Sequence, residues 1–224
     1  MFHQTQMRKL MKLGILSSVV WALVACTPTH QIAEFDRPEL FEAVPQDIQS
    51  EIRSADRHIL VVRHARKISP DCNALNCQLS PRGQAMVSRL SDVLGTAPFE
   101  AAFASAACRT ALTAAAGGVD VLVHQAAEGY EAGCIEGDII SRQRSEAFAD
   151  ARLSDDRWTI VGEHSNTTCL WLSEFAGQDA SQAVGCTDGR LDHDAYGHVY
   201  WLYLNQDIWS LTRLESVFEV ADET

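Results

Sequence analysis

The stretch "ILVVRHARK", residues 59–67, joins four consecutive apolar residues to Arg63, His64, Arg66 and Lys67. A strand with one face in water alternates apolar and polar residues. An unbroken apolar run therefore predicts a strand, 58–62 with His58 included, that is covered on both faces. Ending such a strand in a cluster of guanidinium, imidazole and ammonium groups concentrates positive charge at one edge of a sheet. That charge suits a bound anion, and a phosphoryl group matches the donor geometry of arginine.

The segments around this strand alternate between strand and helix patterns, as in α/β layer proteins. A short helix falls within "VPQDIQSEIRSA" (44–55), before the first strand. In "LSPRGQAMVSRLSDVLG" (79–95), Ser80 is a helix N-cap, Pro81 suits the first turn, Met86, Leu90 and Val93 share a face, and Gly95 ends the helix. "FEAAFAS" (99–105) reads as a second strand, "CRTALTAAAGG" (108–118) as a helix and "VDVLVH" (119–124) as a third strand. A polar, glycine-containing stretch runs to about residue 140, followed by a helix around "RSEAFADARL" (144–153). "WTIVGEH" (158–164) is a fourth strand and "NTTCLWLSEFAG" (166–177) a helix. "VYWLYL" (199–204) and "IWSLTRLE" (208–215), joined by "NQD", read as an antiparallel edge. The expected fold is α/β, a three-layer sandwich whose sheet is mostly parallel with an antiparallel C-terminal edge.

A chain of 224 residues, 46% of them hydrophobic, suits one domain with a substantial core. The first 25 residues have the pattern of a signal peptide: Arg8, Lys9 and Lys12, then the uncharged "LGILSSVVWALVA", too short to span a bilayer. "LVAC" (23–26) resembles the bacterial lipobox, which implies lipid on Cys26, membrane attachment and, with Thr27 after it, the periplasmic face of the outer membrane in a Gram-negative host. Residues 26–50 then form the lipidated N-terminus and a tether containing Pro28, Pro38 and Pro45, and residues 51–224 the domain. The net charge is −12, and removing Arg8, Lys9 and Lys12 leaves 15 basic against 30 acidic residues, or −15. A nucleic-acid partner is excluded on this balance, because it needs a broad basic face. Export permits disulfides among Cys72, Cys77, Cys108, Cys134, Cys169 and Cys186, where six cysteines allow 15 pairings. Cys72 and Cys77 suit a small closed loop. No CxxC or HxxxH spacing indicates a metal site.

Three strands end in residues suited to phosphate at what should be one carboxyl edge, where open α/β sheets bind ligands. Arg63 and His64 follow the first. "SAACRT" (105–110) contributes Ser105 and Arg109 after the second. "GEHSNT" (162–167) brings His164 at the end of the fourth. As a set these motifs resemble the histidine phosphatase superfamily, the phosphoglycerate mutase-like fold: Arg-His after a strand, "LSPRGQAMV", "SAACRTALT", and His before Ser-Asn-Thr. The resemblance covers about residues 58–204 and is nearest to the compact branch with "RHAEK", which here reads "RHARK".

The resemblance implies a phosphomonoesterase in which His64 attacks phosphorus and passes through a phosphohistidine. Arg63, Arg109 and a protonated His164 would bind the phosphoryl oxygens, with Lys67 and Ser105 as further substrate ligands. No metal or other cofactor is required. The leaving-group acid, where there is one, falls among Glu128, Glu131 and Glu136, with spacing slightly in favour of Glu131; some compact members work without such an acid on substrates with good leaving groups, for example phosphorylated histidine. The substrate is expected to be a small phosphorylated metabolite or a phosphoprotein. The alternative is a lipid-anchored phosphate-binding protein with little turnover; a mutase is a third reading. Glu163 departs from the small residue that relatives carry; strand alternation turns it away from the phosphate, where replacement by glycine would leave turnover within a few-fold, whereas turned inward it would favour a protonated His164 and repel an anionic substrate. Arg66 departs as well, standing where "RHAEK" has its acid; a basic rim for a second phosphate and a solvated loop face are both open.

Overall fold

The computed structural model describes residues 38–124 and 143–221. Helices α1 (Pro38–Glu42) and α2 (Gln46–Arg53) lead into β1 (Arg57–Arg63). There follow α3 (Pro81–Leu94), β2 (Ala101–Ser105), α4 (Cys108–Ala114), β3 (Val121–His124), α5 (Arg144–Leu153), β4 (Trp158–Glu163), α6 (Ser165–Ala176), α7 (Gln178–Ala183), β5 (Val199–Asn205) and β6 (Ile208–Leu214). The six strands form one sheet in the order β3-β2-β4-β1-β5-β6. β1 to β4 run parallel, while β5 and β6 are antiparallel, as the sequence led us to expect.

Local chemistry explains the element boundaries. The Ser80 hydroxyl accepts the Gly83 N–H at 3.0 Å at the start of α3, a cap contributing about 1 kcal/mol, and Gly95 closes the helix at φ 57°. Gln206 and Asp207 both have positive φ, as a two-residue type I′ hairpin turn requires.

The continuous apolar run of β1 serves both faces of the sheet. Leu60 and Val62 pack with Met86 and Leu90 of α3 and with Ala111 of α4. Ile59 and Val61 pack with Ala147 of α5 and with Trp171 and Leu172 of α6. Three layers result.

The domain starts earlier than residue 51. Leu40 and Phe41 of α1, Val44 and Ile52 are buried in the α3-side core, so residues 38–50 are packed chain and not tether. Pro38 and Pro45 open short helices here, the position where proline lacks no needed donor. Among the described residues no helix is long and apolar enough to cross a membrane. The signal peptide and Cys26 lie outside the described residues.

Candidate active site

The parallel strands bring their carboxyl ends to one edge. In the ladder of β1 and β4, Val62 faces Gly162 and Arg63 faces Glu163, so His64 and His164 emerge side by side with ring centroids 5.4 Å apart. Gly162 also sets the depth of α4. A Cβ there would lie 2.3 Å from the Thr110 carbonyl oxygen, so only glycine lets α4, and Arg109 with it, come this close to the sheet.

His64 is 5% exposed and its Nδ1 lies 2.7 Å from the Ala65 carbonyl oxygen. A carbonyl only accepts, so Nδ1 carries the proton and Nε2 keeps its lone pair. Ala65 is held in turn by its N–H to Thr113 Oγ1 at 3.0 Å, and the Thr113 hydroxyl donates to the Arg109 carbonyl at 2.7 Å. Burial pushes the His64 imidazole well below its ordinary value, and His164, Arg109 and Arg63 reinforce this against the Ala65 hydrogen bond. The ring is thus neutral and oriented, with a lone pair on Nε2.

Arg63 and Arg109 are nearly buried. Arg63 Nη1 donates to the carbonyls of Asp192 (2.9 Å) and His193 (2.8 Å), Nη2 donates to Tyr196 Oη at 3.0 Å, and the guanidinium stacks on the Tyr196 ring at 3.8 Å. The full terminal fork expected to face phosphate is therefore partly engaged by the 192–196 segment. Its Nε is buried with no partner among the described residues. Arg109 Nη1 donates to the Ala74 carbonyl at 2.9 Å, and its Nε is likewise buried with no partner among the described residues. Residues 72–77 are closed by the Cys72–Cys77 disulfide, and the Leu75 carbonyl takes the Cys108 N–H at 2.7 Å, so this small loop grips α4 at Arg109.

Glu163 does turn away from the cleft, but it is fully buried in a polar network. Its Oε1 accepts from His124 Nε2 and Trp171 Nε1, both at 2.7 Å. Its Oε2 accepts from the Thr167 hydroxyl at 2.5 Å and from the Ser105 hydroxyl. Thr167 Oγ1 also accepts the His164 N–H at 2.8 Å, and the Glu163 carbonyl accepts the His64 N–H at 2.8 Å. Burial alone would raise the carboxyl, but the His124 contact and the two hydroxyls overcome it and bring Glu163 down to about 2. Ser105 must be reassigned. Its hydroxyl is committed to Glu163 and it does not line the cleft, so it is no phosphate ligand. Alternation explains this, since Ser105 shares a strand face with Phe103, which packs on the α6 side.

The cleft has a volume of about 650 Å³ and is lined by Arg63, His64, Lys67, Arg109, His164 and Tyr196, among others. Burial first, then Arg109, Arg144 and Arg63, lowers His164 to about 4 despite Glu163. The protonated His164 expected above is thus neutral in this site. A larger hollow of about 890 Å³ lies at the opposite strand ends, with Glu100, Asp120, Asp150 and Asp156 in its wall. Its acidic wall would repel phosphate. Glu128, Glu131 and Glu136 lie outside the described residues. His124, Thr113 and Tyr196 are contributors that the sequence reading missed. His124 ends the apolar "VLVH" strand at the same edge, which was an available signal; Tyr196 left none.

This arrangement can be compared with known proteins. No family model and no curated protein matches the chain. Among solved structures, a putative alpha-ribazole-5′-P phosphatase from Escherichia coli superimposes with a TM-score of 0.50 at 16% identity, covering 74% of this chain and 99% of that one. A putative phosphohistidine phosphatase SixA from Agrobacterium tumefaciens has a TM-score of 0.46 at 19% identity, with coverage of 72% and 99%. The chain shares the fold of the Escherichia coli structure. In this chain His64 and His164 occupy adjacent parallel strand ends, and two helices within residues 38–53 precede β1.

Proposed function

We propose that the protein is an exported phosphomonoesterase acting through a phosphohistidine at His64. The observation that carries this reading is the pair of buried, unpartnered guanidinium Nε groups, of Arg63 and Arg109, beside two neutral imidazoles in one cleft. Buried donors without acceptors are costly, and a tetrahedral oxyanion would satisfy both. In the first step Nε2 of His64 forms a bond to phosphorus as the ester P–O bond breaks. We assign to Glu131 the proton that the leaving oxygen takes. Water then returns a proton to the Glu131 carboxylate and forms a new P–O bond as the P–N bond breaks, giving phosphate and free His64. The guanidinium groups and His164 stabilise the charge of both transfers.

A cleft of this volume suits a small phosphorylated molecule. Export is supported by the Cys72–Cys77 and Cys169–Cys186 disulfides and by a disulfide-bonded Cys108, which persist in oxidising compartments. Attachment through lipid on Cys26 at the outer membrane completes the proposal. Brief reaction of the protein with a ³²P-labelled aryl phosphate, followed by an alkaline quench, should trap an acid-labile label that His64→Ala abolishes. An unlabelled wild-type protein that still binds phosphate would support the binding-protein reading instead.

A further inference from the structure

We propose that Arg66 and Lys67 form a second anion-binding position in the cleft, and that the substrate carries a second phosphate or carboxylate beyond the phosphoryl group transferred at His64. This rests on the phosphatase reading and specifies its substrate class. Five cationic side chains line the cleft, those of Arg63, Arg66, Lys67, Arg82 and Arg109, and among the described lining residues there is no carboxylate. A phosphomonoester dianion brings a charge of about −2. Behind the wall lies Glu219, whose Oε1 accepts both Arg66 Nε at 3.0 Å and Arg82 Nη2 at 2.6 Å. One carboxylate thus serves two guanidinium groups, and positive charge remains in excess in a chain whose net charge is −12.

Arg66 is built into place, unlike a solvated surface arginine. Its carbonyl accepts the Ser80 N–H at 3.0 Å and lies against Gly83, where a Cβ would come within 1.9 Å of that oxygen. Its guanidinium stacks on the Tyr196 ring at 4.5 Å, the same ring that carries Arg63. Glu219 holds it by Nε, and Nη1 and Nη2 make no hydrogen bond among the described residues. Arg82, by contrast, also donates Nε to the Val220 carbonyl at 2.7 Å. Lys67 is fixed by one hydrogen bond from Nζ to Asn73 Oδ1 at 2.8 Å, which leaves further ammonium protons for a ligand. A cation fixed before binding loses little conformational freedom when the ligand arrives, which favours affinity. The shared Tyr196 ring sets the second position next to the phosphoryl site.

The test compares inorganic phosphate with methylenediphosphonate, which cannot be hydrolysed, by calorimetry on the intact protein. Wild type should bind the diphosphonate at least tenfold more tightly than phosphate. Arg66→Gln and Lys67→Gln should each reduce that ratio at least threefold, and the double variant should bring it near one. Arg89→Gln, on an exposed arginine paired with Glu39, controls for net charge and should keep the wild-type ratio. The proposal is overturned if wild type shows no preference, or if the preference survives in a double variant that melts as wild type does. Kinetics with phenyl phosphate and carboxyphenyl phosphate give the same ratio in kcat/KM. Turnover without selectivity would sink the second position alone, whereas selective binding without turnover would sink the phosphatase reading and keep the position.

Discussion

The Thr167 hydroxyl gives its proton to Glu163, and the same oxygen, 2.8 Å from the His164 nitrogen, accepts the His164 N–H. A buried carboxylate beneath the sheet edge therefore helps to fix the imidazole above it. Strand alternation gave the direction of Glu163, and its buried hydrogen-bond network now leads us to expect a cost when it is replaced. Glu163→Ala would leave donors from His124, Ser105, Thr167 and Trp171 without an acceptor in a dry environment. We expect a loss of about 3–5 kcal/mol in urea unfolding, with kcat/KM falling at least tenfold in whatever fraction stays folded. A variant within about 1 kcal/mol of wild type would show that the network does not stabilise the domain.

Acid should destabilise the protein in two stages. Burial, with Arg157 adding to it, holds His58 at about 3, and His164 is held at about 4, so both are neutral in the folded state. Their stabilising contribution is present above the unfolded histidine value of about 6.5 and is lost as pH falls toward those folded values. Glu163, at about 2, contributes above the unfolded carboxyl value and loses that contribution as pH falls through the folded one. The Glu163 share is roughly 3 kcal/mol. Urea midpoints should decline from pH 6.5 downward, and Glu163→Gln should flatten the decline below about pH 4.5. Identical slopes for the two proteins in that range would contradict a depressed Glu163.

Binding of a phosphate-like dianion should take up protons. His164 is neutral when the cleft is empty, and a bound dianion raises its affinity for a proton. Calorimetric titration at pH 6 with sulfate, which is a dianion at that pH, in buffers of different ionisation enthalpy, should show net uptake that His164→Asn reduces. Uptake unchanged by that substitution would place the proton elsewhere.

The Cys72–Cys77 loop should affect catalysis more than stability. It holds Arg109 through the Ala74 carbonyl and Cys108 through that of Leu75, yet it closes only a few residues and so restricts the unfolded chain little. We expect the double serine variant to lose kcat/KM about tenfold, close to 1.4 kcal/mol in transition-state binding, while its melting temperature stays within a few degrees. Full activity would mean that Arg109 holds its place unaided.

The strands, the Ser80 cap and the hairpin at Gln206–Asp207 were legible because each follows from neighbours in the chain: an apolar run, a hydroxyl three residues ahead of an amide, two positions with positive φ. His64, Arg63, Arg109 and His164 were legible because parallel strands deliver their ends to one edge. Ser105 was misread because its partner, Glu163, is distant in sequence and alternation placed both below the surface. The contacts of Tyr196 with Arg63 and Arg66 join the first strand to a segment more than a hundred residues later, and no local pattern announces such a meeting. The helical start at residues 38–53 was hidden by prolines that were read as linker signals, although Leu40, Phe41, Val44, Ile48 and Ile52 are spaced for a packed face.

The Arg63–Glu163 rung of the ladder has a further consequence. Since neighbouring strands repeat at about 4.8 Å, the gap between the two imidazoles is inherited from the backbone lattice and owes nothing to the surface segments. Asn73 and the small loop closed by Cys72 and Cys77 belong to the periphery instead. Descendants of this chain can therefore trade one peripheral loop for another, and change what they admit, while the paired imidazoles keep their spacing.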